Sequence, residues 1–282
     1  MMTYKRPLSL RVKMIVMSIL KYILVLGLLL VVLFPLFWMA LASFQHQVDI
    51  MNSRSGLFNF TPTSINYNTV FAVHDFTTPI INSFLIALGS TIAALVLGLP
   101  ASYSIARYKL SKLGLVILVV RMVPGITFLV PWFIIFSRLG LVDTYTGIVL
   151  SHMLVALPFI VWVMVPFFES IPREMEESAM VDGSTQFFAF FRILIPLARP
   201  GIFTASLLSF IFSWNNFMFS LVLTGRNWTT LPVAIFSFIA YARVDWGGLM
   251  AAATIITMPI IVISVILQKY VVSGLTAGAV KG

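Results

Sequence analysis

Arg121 is the ionisable side chain that falls well inside an apolar stretch of this 282-residue sequence. A charge held there is costly unless a partner or a water-filled cavity meets it. Its guanidinium could contact hydroxyls or a carboxylate on a passing solute, or form a gating ion pair. It could equally snorkel, or bond a backbone carbonyl freed by Pro124. Asn215 and Asn216 follow Trp214 mid-way along another apolar stretch. Amides both donate and accept, and an indole face stacks on the apolar face of a pyranose, so the trio suits a sugar path. The same amides also serve helix–helix hydrogen bonding inside membranes. Trp132 and Trp162 either line that cavity or belong to an interfacial aromatic belt.

Other chemistry is missing. Cys is absent, which excludes disulfides, thiolate metal sites and Cys nucleophiles. His46, His74 and His152 are too scattered for a metal cluster, and His152 reads as a satisfied packing residue. No GxxxxGK[ST] phosphate loop occurs, so the chain cannot hydrolyse ATP by that means.

The elements that must position these residues follow from hydropathy. Hydrophobic residues make up 60% of the chain and charged ones 10%, with mean hydropathy +1.03. A soluble domain carries roughly a quarter charged residues, so lipid must cover much of this surface. The 25 Phe fit lipid-facing and cavity-lining roles. A span needs about 20 apolar residues. Six are expected near Tyr22–Phe44, Ile81–Ile105, Leu113–Phe136, Thr146–Phe168, Gly201–Leu223 and Leu249–Val271. All must be helices, because backbone polar groups in lipid need internal partners. Pro35, Pro100, Pro124, Pro131, Pro158, Pro166 and Pro259 lie in or at the ends of these spans. They predict kinks or local unwinding, which either border a cavity or are simply tolerated. The fold class is thus an all-α polytopic membrane protein of six transmembrane helices.

Lys and Arg set the orientation. One side collects Lys5, Arg6, Arg11, Lys13, Lys21, Arg107, Lys109, Lys112, Arg173, Arg192, Arg199, Lys269 and Lys281, against Arg54, Arg138, Arg226 and Arg243 on the other. Both termini are therefore expected in the cytoplasm, and the net charge of +9 needs no nucleic acid to explain it. Ala40-Leu41-Ala42 resembles a signal cleavage site, but the apolar stretch is longer than a signal core and its charged leader is long, so the first span reads as uncleaved. Residues 1–21 form a cytoplasmic segment, 22–272 the membrane domain and 273–282 a cytoplasmic tail. Residues 45–80 are an extracytoplasmic segment long enough for a small ordered excursion.

Residues 169–200 form the long cytoplasmic loop, holding Glu169, Glu174, Glu176, Glu177 and Asp182, five of the nine acidic residues. Ser170 reads as a helix cap with Pro172 in the first turn, and the glutamates follow where a positive helix end favours them. Asp182-Gly183-Ser184 signals a stop, a turn and a new start. A second helix carrying Phe187, Phe188, Phe190 and Phe191 then runs to Pro196. The acids and aromatics make a compact knob. Its phenylalanines either pack on the protein's own spans or enter a partner's groove.

Here a family pattern is matched. Glu177-Ser178-Ala179, Asp182-Gly183 and Ile193-Leu194-Ile195-Pro196 resemble the EAA loop of ABC importer permeases, with Gly183 and Pro196 at the matching offsets and Ser178 and Ile195 as departures. Asn82-Ser83 with Ala101 to Arg107 is similar to the second-span region of carbohydrate-uptake permeases. Trp214-Asn215-Asn216-Phe217 resembles their fifth-span Trp-Asn-Glu-Phe, with Asn216 replacing Glu. The tail from Gln268 to Gly282 is similar to that of the maltose-type smaller permease subunit. The resemblance implies a bacterial inner-membrane permease subunit for a sugar or oligosaccharide, working by alternating access. It implies a second homologous permease subunit, two ATPase subunits that bind ATP and Mg, and a periplasmic solute-binding protein. It makes the loop a coupling helix, with Glu174, Glu177, Ser178, Ala179, Asp182, Gly183, Phe187 and Pro196 docking in the ATPase cleft, and the tail a segment entering the ATPase interface. No cofactor is implied in this chain. A proton- or sodium-driven secondary transporter would show more spans, repeats and buried acids, and a membrane enzyme would need an interfacial His–acid cluster. Maltose-like, trehalose-like, glycerol-phosphate and acidic oligosaccharide cargoes share these motifs, with Arg121 tilting toward an anion.

Overall fold

The computed structural model describes residues 8–52, 58–240 and 243–277, and side chains for 13–52, 58–239 and 244–267. Arg54 and the side chains of the tail from Gln268 lie outside the described residues.

Apolar runs of span length fold as helices because nothing else satisfies their backbone in hydrocarbon. The principal ones are α1 (Leu8–Ala42), α2 (Thr77–Arg107), α3 (Ser111–Met122), α4 (Leu129–Arg138) and α5 (Tyr145–Ser170). They are followed by α6 (Glu174–Val181), α7 (Gln186–Ala189), α8 (Arg199–Trp214), α9 (Met218–Leu223) and α10 (Trp246–Ala277). Four stretches are long and apolar enough to cross a membrane: Lys13–Ala42, Thr77–Arg107, Tyr145–Ser170 and Trp246–Leu267. The count reaches six if two bent pairs are each one span. Among the described residues, strand pairing is confined to Ile239–Ala240 against Arg243–Val244.

The third expected span is not one straight helix. Residues 111–122 and 125–138 meet at 88°. Val123 is extended (ψ 125°) because the ring of Pro124 excludes helical backbone before it, and Pro124 is itself extended (ψ 128°). A single 3-10 turn, Gly125–Phe128, restarts the chain. The fifth expected span also differs: α8 ends at Trp214, residues 215–217 interrupt it, and α9 adds six residues. The other bent pair joins Gln186–Leu197 to Arg199–Trp214 at 77°, where Pro200 lies in the first turn of α8. Pro100, Pro158, Pro166 and Pro259 all sit inside continuous helices. Proline alone therefore does not break a span here.

Helices α2 and α5 pack closely along their length. A Cβ at Gly98 of α2 would lie 2.8 Å from the Ile160 Cγ2 of α5, so a larger residue would push the pair apart. Met153, Ile160, Met164 and Phe168 of α5 join Ala94 and Tyr103 of α2 and Phe190, Leu194 and Ala205 in one buried cluster. A second cluster holds Trp214 against Phe238, Ala251 and Ala252. Helix α1 differs, since none of its most apolar window is buried by the rest of the chain. The segment between α1 and α2 is indeed partly ordered, with short helices Gln47–Met51 and Ile65–Asn68. Gln47 ties it to the start of α10 by donating to the Val244 carbonyl (2.9 Å) and accepting from the Gly247 N–H (3.2 Å).

Candidate functional site

The knob begins where α5 stops. Ile171 is extended (ψ 123°) ahead of Pro172, and α6 starts at Glu174 with Glu174, Glu176 and Glu177 in its first turn. Ser170 is not the cap the sequence suggested. It ends α5 and donates to the Phe167 carbonyl (2.7 Å), because the helix before the proline runs further than expected. Helix α6 ends in a Schellman turn: Ser184 N–H donates to Ala179 O (2.9 Å) and Gly183 N–H to Met180 O (3.1 Å). Gly183 holds φ +88°, a conformation that costs a side chain little only when there is none. Thr185 then accepts from Phe188 N–H (3.2 Å) and opens α7. The second expected helix is α7, a π turn at Phe190–Leu194 and a turn at Ile195–Leu197 containing Pro196.

The structure divides the knob's side chains sharply. Glu174, Glu177, Ser178 and Asp182 are exposed, while Ala179 is buried. Phe190 packs inward, 5.1 Å from the Tyr103 ring and 6.1 Å from that of Phe168. Phe187 (74% exposed) and Phe191 stay outside with their rings 4.7 Å apart, beside Met180 and Val181 (87% exposed). Phe190 thus packs on the protein's own spans, while Phe187 and Phe191 are left exposed.

Under this exposed face lies a polar root that sequence reasoning missed. Glu176 is buried, and its Oε2 lies 3.0 Å from Arg107 Nε, both side chains being 8% exposed. The Tyr103 hydroxyl donates to the other Glu176 oxygen. Gln186 Nε2 reaches the hydroxyls of Tyr103 (2.9 Å) and Tyr108 (2.7 Å). Arg107 Nη1 donates to the Ile171 carbonyl (3.0 Å), and Arg173 Nη2 returns a bond to the Arg107 carbonyl (2.6 Å). One signal was available: Glu176 and Ala179 lie three apart on one helix face, and an acid on a buried face requires a cation.

The expected passage residues split into three places. Arg121 closes α3, two residues before the break, with its guanidinium 4.8 Å from the Phe159 ring and 5.0 Å from Trp162, both on α5. The helix C-terminus and two aromatic faces all favour that cation. Trp132 packs 4.8 Å from the Phe219 ring and 5.5 Å from that of Phe128, near the interrupted fifth span. Trp214 is buried against α10, its indole N–H donating to the Ile256 carbonyl (3.1 Å), which is a helix-packing role. Asn216 is buried and accepts from Phe219 N–H (3.1 Å), while exposed Asn215 donates to the Ile211 carbonyl (2.9 Å). His152 is fully buried, Nδ1 2.7 Å from Ser213 Oγ and Nε2 3.4 Å from Ser220 Oγ, so it bridges both halves of that span as a satisfied packing residue.

At the opposite end of the bundle from the knob, Asp143 (φ +55°) collects bonds from the N–H groups of Gly225 (2.8 Å), Asn227 (3.0 Å) and Trp228 (2.9 Å) and from the Asn227 amide (2.9 Å). Burial pushes its carboxyl up, but these four bonds outweigh burial and hold it below the usual carboxylate range. Asn82 fastens the same loop to α2 through the carbonyls of Asn227 (3.0 Å) and Thr229 (3.1 Å).

Residues 94–277, from mid-α2 through the knob to α10, match the family described as binding-protein-dependent transport system inner membrane component. The chain belongs to that family. Relatives span nearly the whole of this inner membrane component. The trehalose transport system permease protein SugB of Mycobacterium tuberculosis is 38% identical over 89% of this chain and 93% of its own. The sulfoquinovosyl glycerol transport system permease protein SmoH of Agrobacterium fabrum is 35% identical over 89% of each. The trehalose/maltose transport system permease protein MalG of Thermococcus litoralis is 33% identical over 89% of this chain and 92% of its own. The fold of the present chain matches that of a chain in a bacterial ABC transporter involved in the import of the acidic polysaccharide alginate (TM-score 0.77, 22% identity, 95% of this chain and 99% of that one).

Proposed function

We propose that this chain is the permease subunit of an ATP-driven importer that moves a sugar or oligosaccharide, handed over by a periplasmic binding protein, into the cytoplasm. The observation that carries the reading is the knob: an acid-bearing, apolar tip held on a buried polar root, in a chain whose relatives are named for trehalose, maltose and sulfoquinovosyl glycerol. Val181, Phe187 and Phe191, exposed on the same short segment as exposed Glu174, Glu177 and Asp182, have the make-up of a docking surface. We assign these, with Ser178, Gly183 and Pro196, to contact with one of two ATPase subunits, and buried Ala179 to seating α6 beneath that surface. ATP and Mg are bound there, and this chain takes no chemical step itself.

A second, homologous permease subunit completes the pathway in this reading. The apolar face of α1, which the rest of the chain does not bury, leaves room for such a neighbour. The asymmetry of Lys and Arg supports cytoplasmic termini and a cytoplasmic knob. Arg121, Trp162, Trp132 and Asn215 border the interrupted spans, where helix regularity is given up at membrane depth, as it is along solute paths. Trp214 and Asn216 support that path by packing rather than by contact. The test is co-purification with an ATPase, then uptake of radiolabelled trehalose and maltose into proteoliposomes holding the assembled complex and its binding protein. Uptake should require hydrolysable ATP. Uptake without nucleotide, driven by a proton or sodium gradient, would overturn the reading.

A further inference from the structure

We propose that Arg107, Glu176, Tyr103 and Gln186 form a permanently closed latch that makes the knob and the adjoining end of α2 one rigid body. This proposal rests on the coupling role of the knob and assigns how its motion is delivered.

Covalently, the knob hangs between α5 and α8, through the extended step at Ile171-Pro172 and the 77° bend before Arg199. Both joints can flex, because neither is held by continuous helix. A push on Val181 or Phe187 could therefore be lost in bending at those joints. Phe190 and Leu194 pack on α5, but the polar side-chain ties go elsewhere, to α2. Glu176 on α6 meets Arg107 and Tyr103, and Gln186 on α7 meets Tyr103 and Tyr108, so both knob helices are bound to the same turn of α2. Arg107 also bonds the Ile171 carbonyl, and Arg173 bonds the Arg107 carbonyl, which braces the extended step from both sides. Phe190 and Phe168 pack against buried Tyr103 at 5.1 and 6.0 Å and help hold it in place.

An ion pair buried on both sides contributes little net stability compared with a hydrophobic pair, but opening it strands a charge and is strongly unfavourable. Such a pair is well suited to fixing one arrangement rather than switching between two. Glu176, Tyr103 and Gln186 are thus positioning residues, which act by directing the knob's displacement into α2.

The chain has no Cys, so two introduced thiols are its own labelling sites, and a complex labelled without them gives the background of the other subunits. Labels at exposed Met175 on the knob and Lys109 just beyond α2 report the latch in the complete transporter. The expected result is one narrow distance distribution, unchanged between nucleotide-free and ATP-trapped states. Glu176→Ala should broaden that distribution and lower sugar moved per ATP hydrolysed about tenfold, in the range of coupling-residue substitutions. Arg107→Glu combined with Glu176→Arg should recover part of the loss. A wild-type distance that shifts between the two states overturns the latch even if Glu176→Ala fails to insert. Unchanged sugar per ATP in an inserted Glu176→Ala transporter overturns it too. Val181→Asp, at an exposed tip position that cannot unfold the chain, separates the two ideas. If it transports normally, the coupling role itself is wrong; if it fails while Glu176→Ala couples normally, only the latch is wrong.

Discussion

At the knob, Glu176 and Arg107 are buried at the root while Val181 and Phe187 stand exposed at the tip. At the interrupted third and fifth spans the arrangement is reversed: Phe219 fills the interior with Trp132 against it, while Arg121 and Asn215 remain at the surface. Both regions depart from regular helix, yet for different physical ends. The knob lies beyond the long spans, where displaying hydrocarbon is unfavourable unless another protein covers it. The breaks lie along apolar stretches, where displayed polar groups need water, a solute or a neighbouring chain. Each region exposes what its surroundings do not satisfy, and that marks both as surfaces completed by something else.

The sharpest way to break the comparison is Gly183→Asp. Space is open around Gly183, so the cost is backbone strain at φ +88°, about 1 kcal/mol. The chain should insert normally. The Schellman turn, however, sets the angle between α6 and α7, and misdirecting the tip can weaken coupling by about 2 kcal/mol, about 30-fold. Uptake assays should register a loss of that order, together with lost stimulation of the ATPase. Wild-type uptake in a correctly inserted variant would leave the knob without the role assigned to it.

The two regions were unequally legible in the sequence. The turn of the knob was legible locally, because Asp182-Gly183-Ser184 signals a stop and a new start, while the stretch from Glu177 to Pro196 stood out through its resemblance to the EAA loop. Its buried root did not, since Glu176 and Arg107 are 69 positions apart and pair only after α2 and α5 pack. Among the prolines, Pro124 stood out only in the structure. Pro100 or Pro158 removes one donor, and the helix continues. At Pro124 the following Gly125 and the 3-10 turn let the chain leave the helix altogether. Trp214, read as a stacking face, is taken up by the Ile256 carbonyl of α10, a contact that spacing cannot reveal.

An effect on stability sharpens the comparison from the far end of the breaks. Asp143 N–H donates to the Leu223 carbonyl at the end of α9 (2.8 Å), and its carboxylate gathers the 225–228 loop. Replacing it with Asn removes charge-assisted bonds and should cost about 2 kcal/mol near neutral pH, solvent screening included. Because the folded carboxyl titrates below its unfolded value of about 3.9, the stabilisation is complete above that value. It is lost as pH falls through the lower, folded value. Melting of the purified complex should therefore separate wild type from Asp143→Asn at pH 7, with the gap closing in strong acid. A gap that widens in acid would contradict the bonded geometry.

The smallest effect tests whether adjacent amides at one break have been divided between packing and passage. Asn216 is buried and satisfies the N–H of Phe219 in the first turn of α9, a donor with no partner within the helix. Asn216→Ala should therefore lower stability by about 1 kcal/mol, as loss of a helix-start acceptor does, and Asn216→Ser should restore most of it. Asn215 is exposed, and its amide only doubles back to the Ile211 carbonyl. Asn215→Ala should leave melting within about 0.5 kcal/mol of wild type and act instead on uptake, raising the KM for the sugar more than it lowers the maximal rate. Measured side by side, the pair separates a residue that restarts a helix from one that faces the path. Equal melting losses at both positions, with uptake unaffected at Asn215, would make the break a packing device and move the passage toward Arg121 and Trp162.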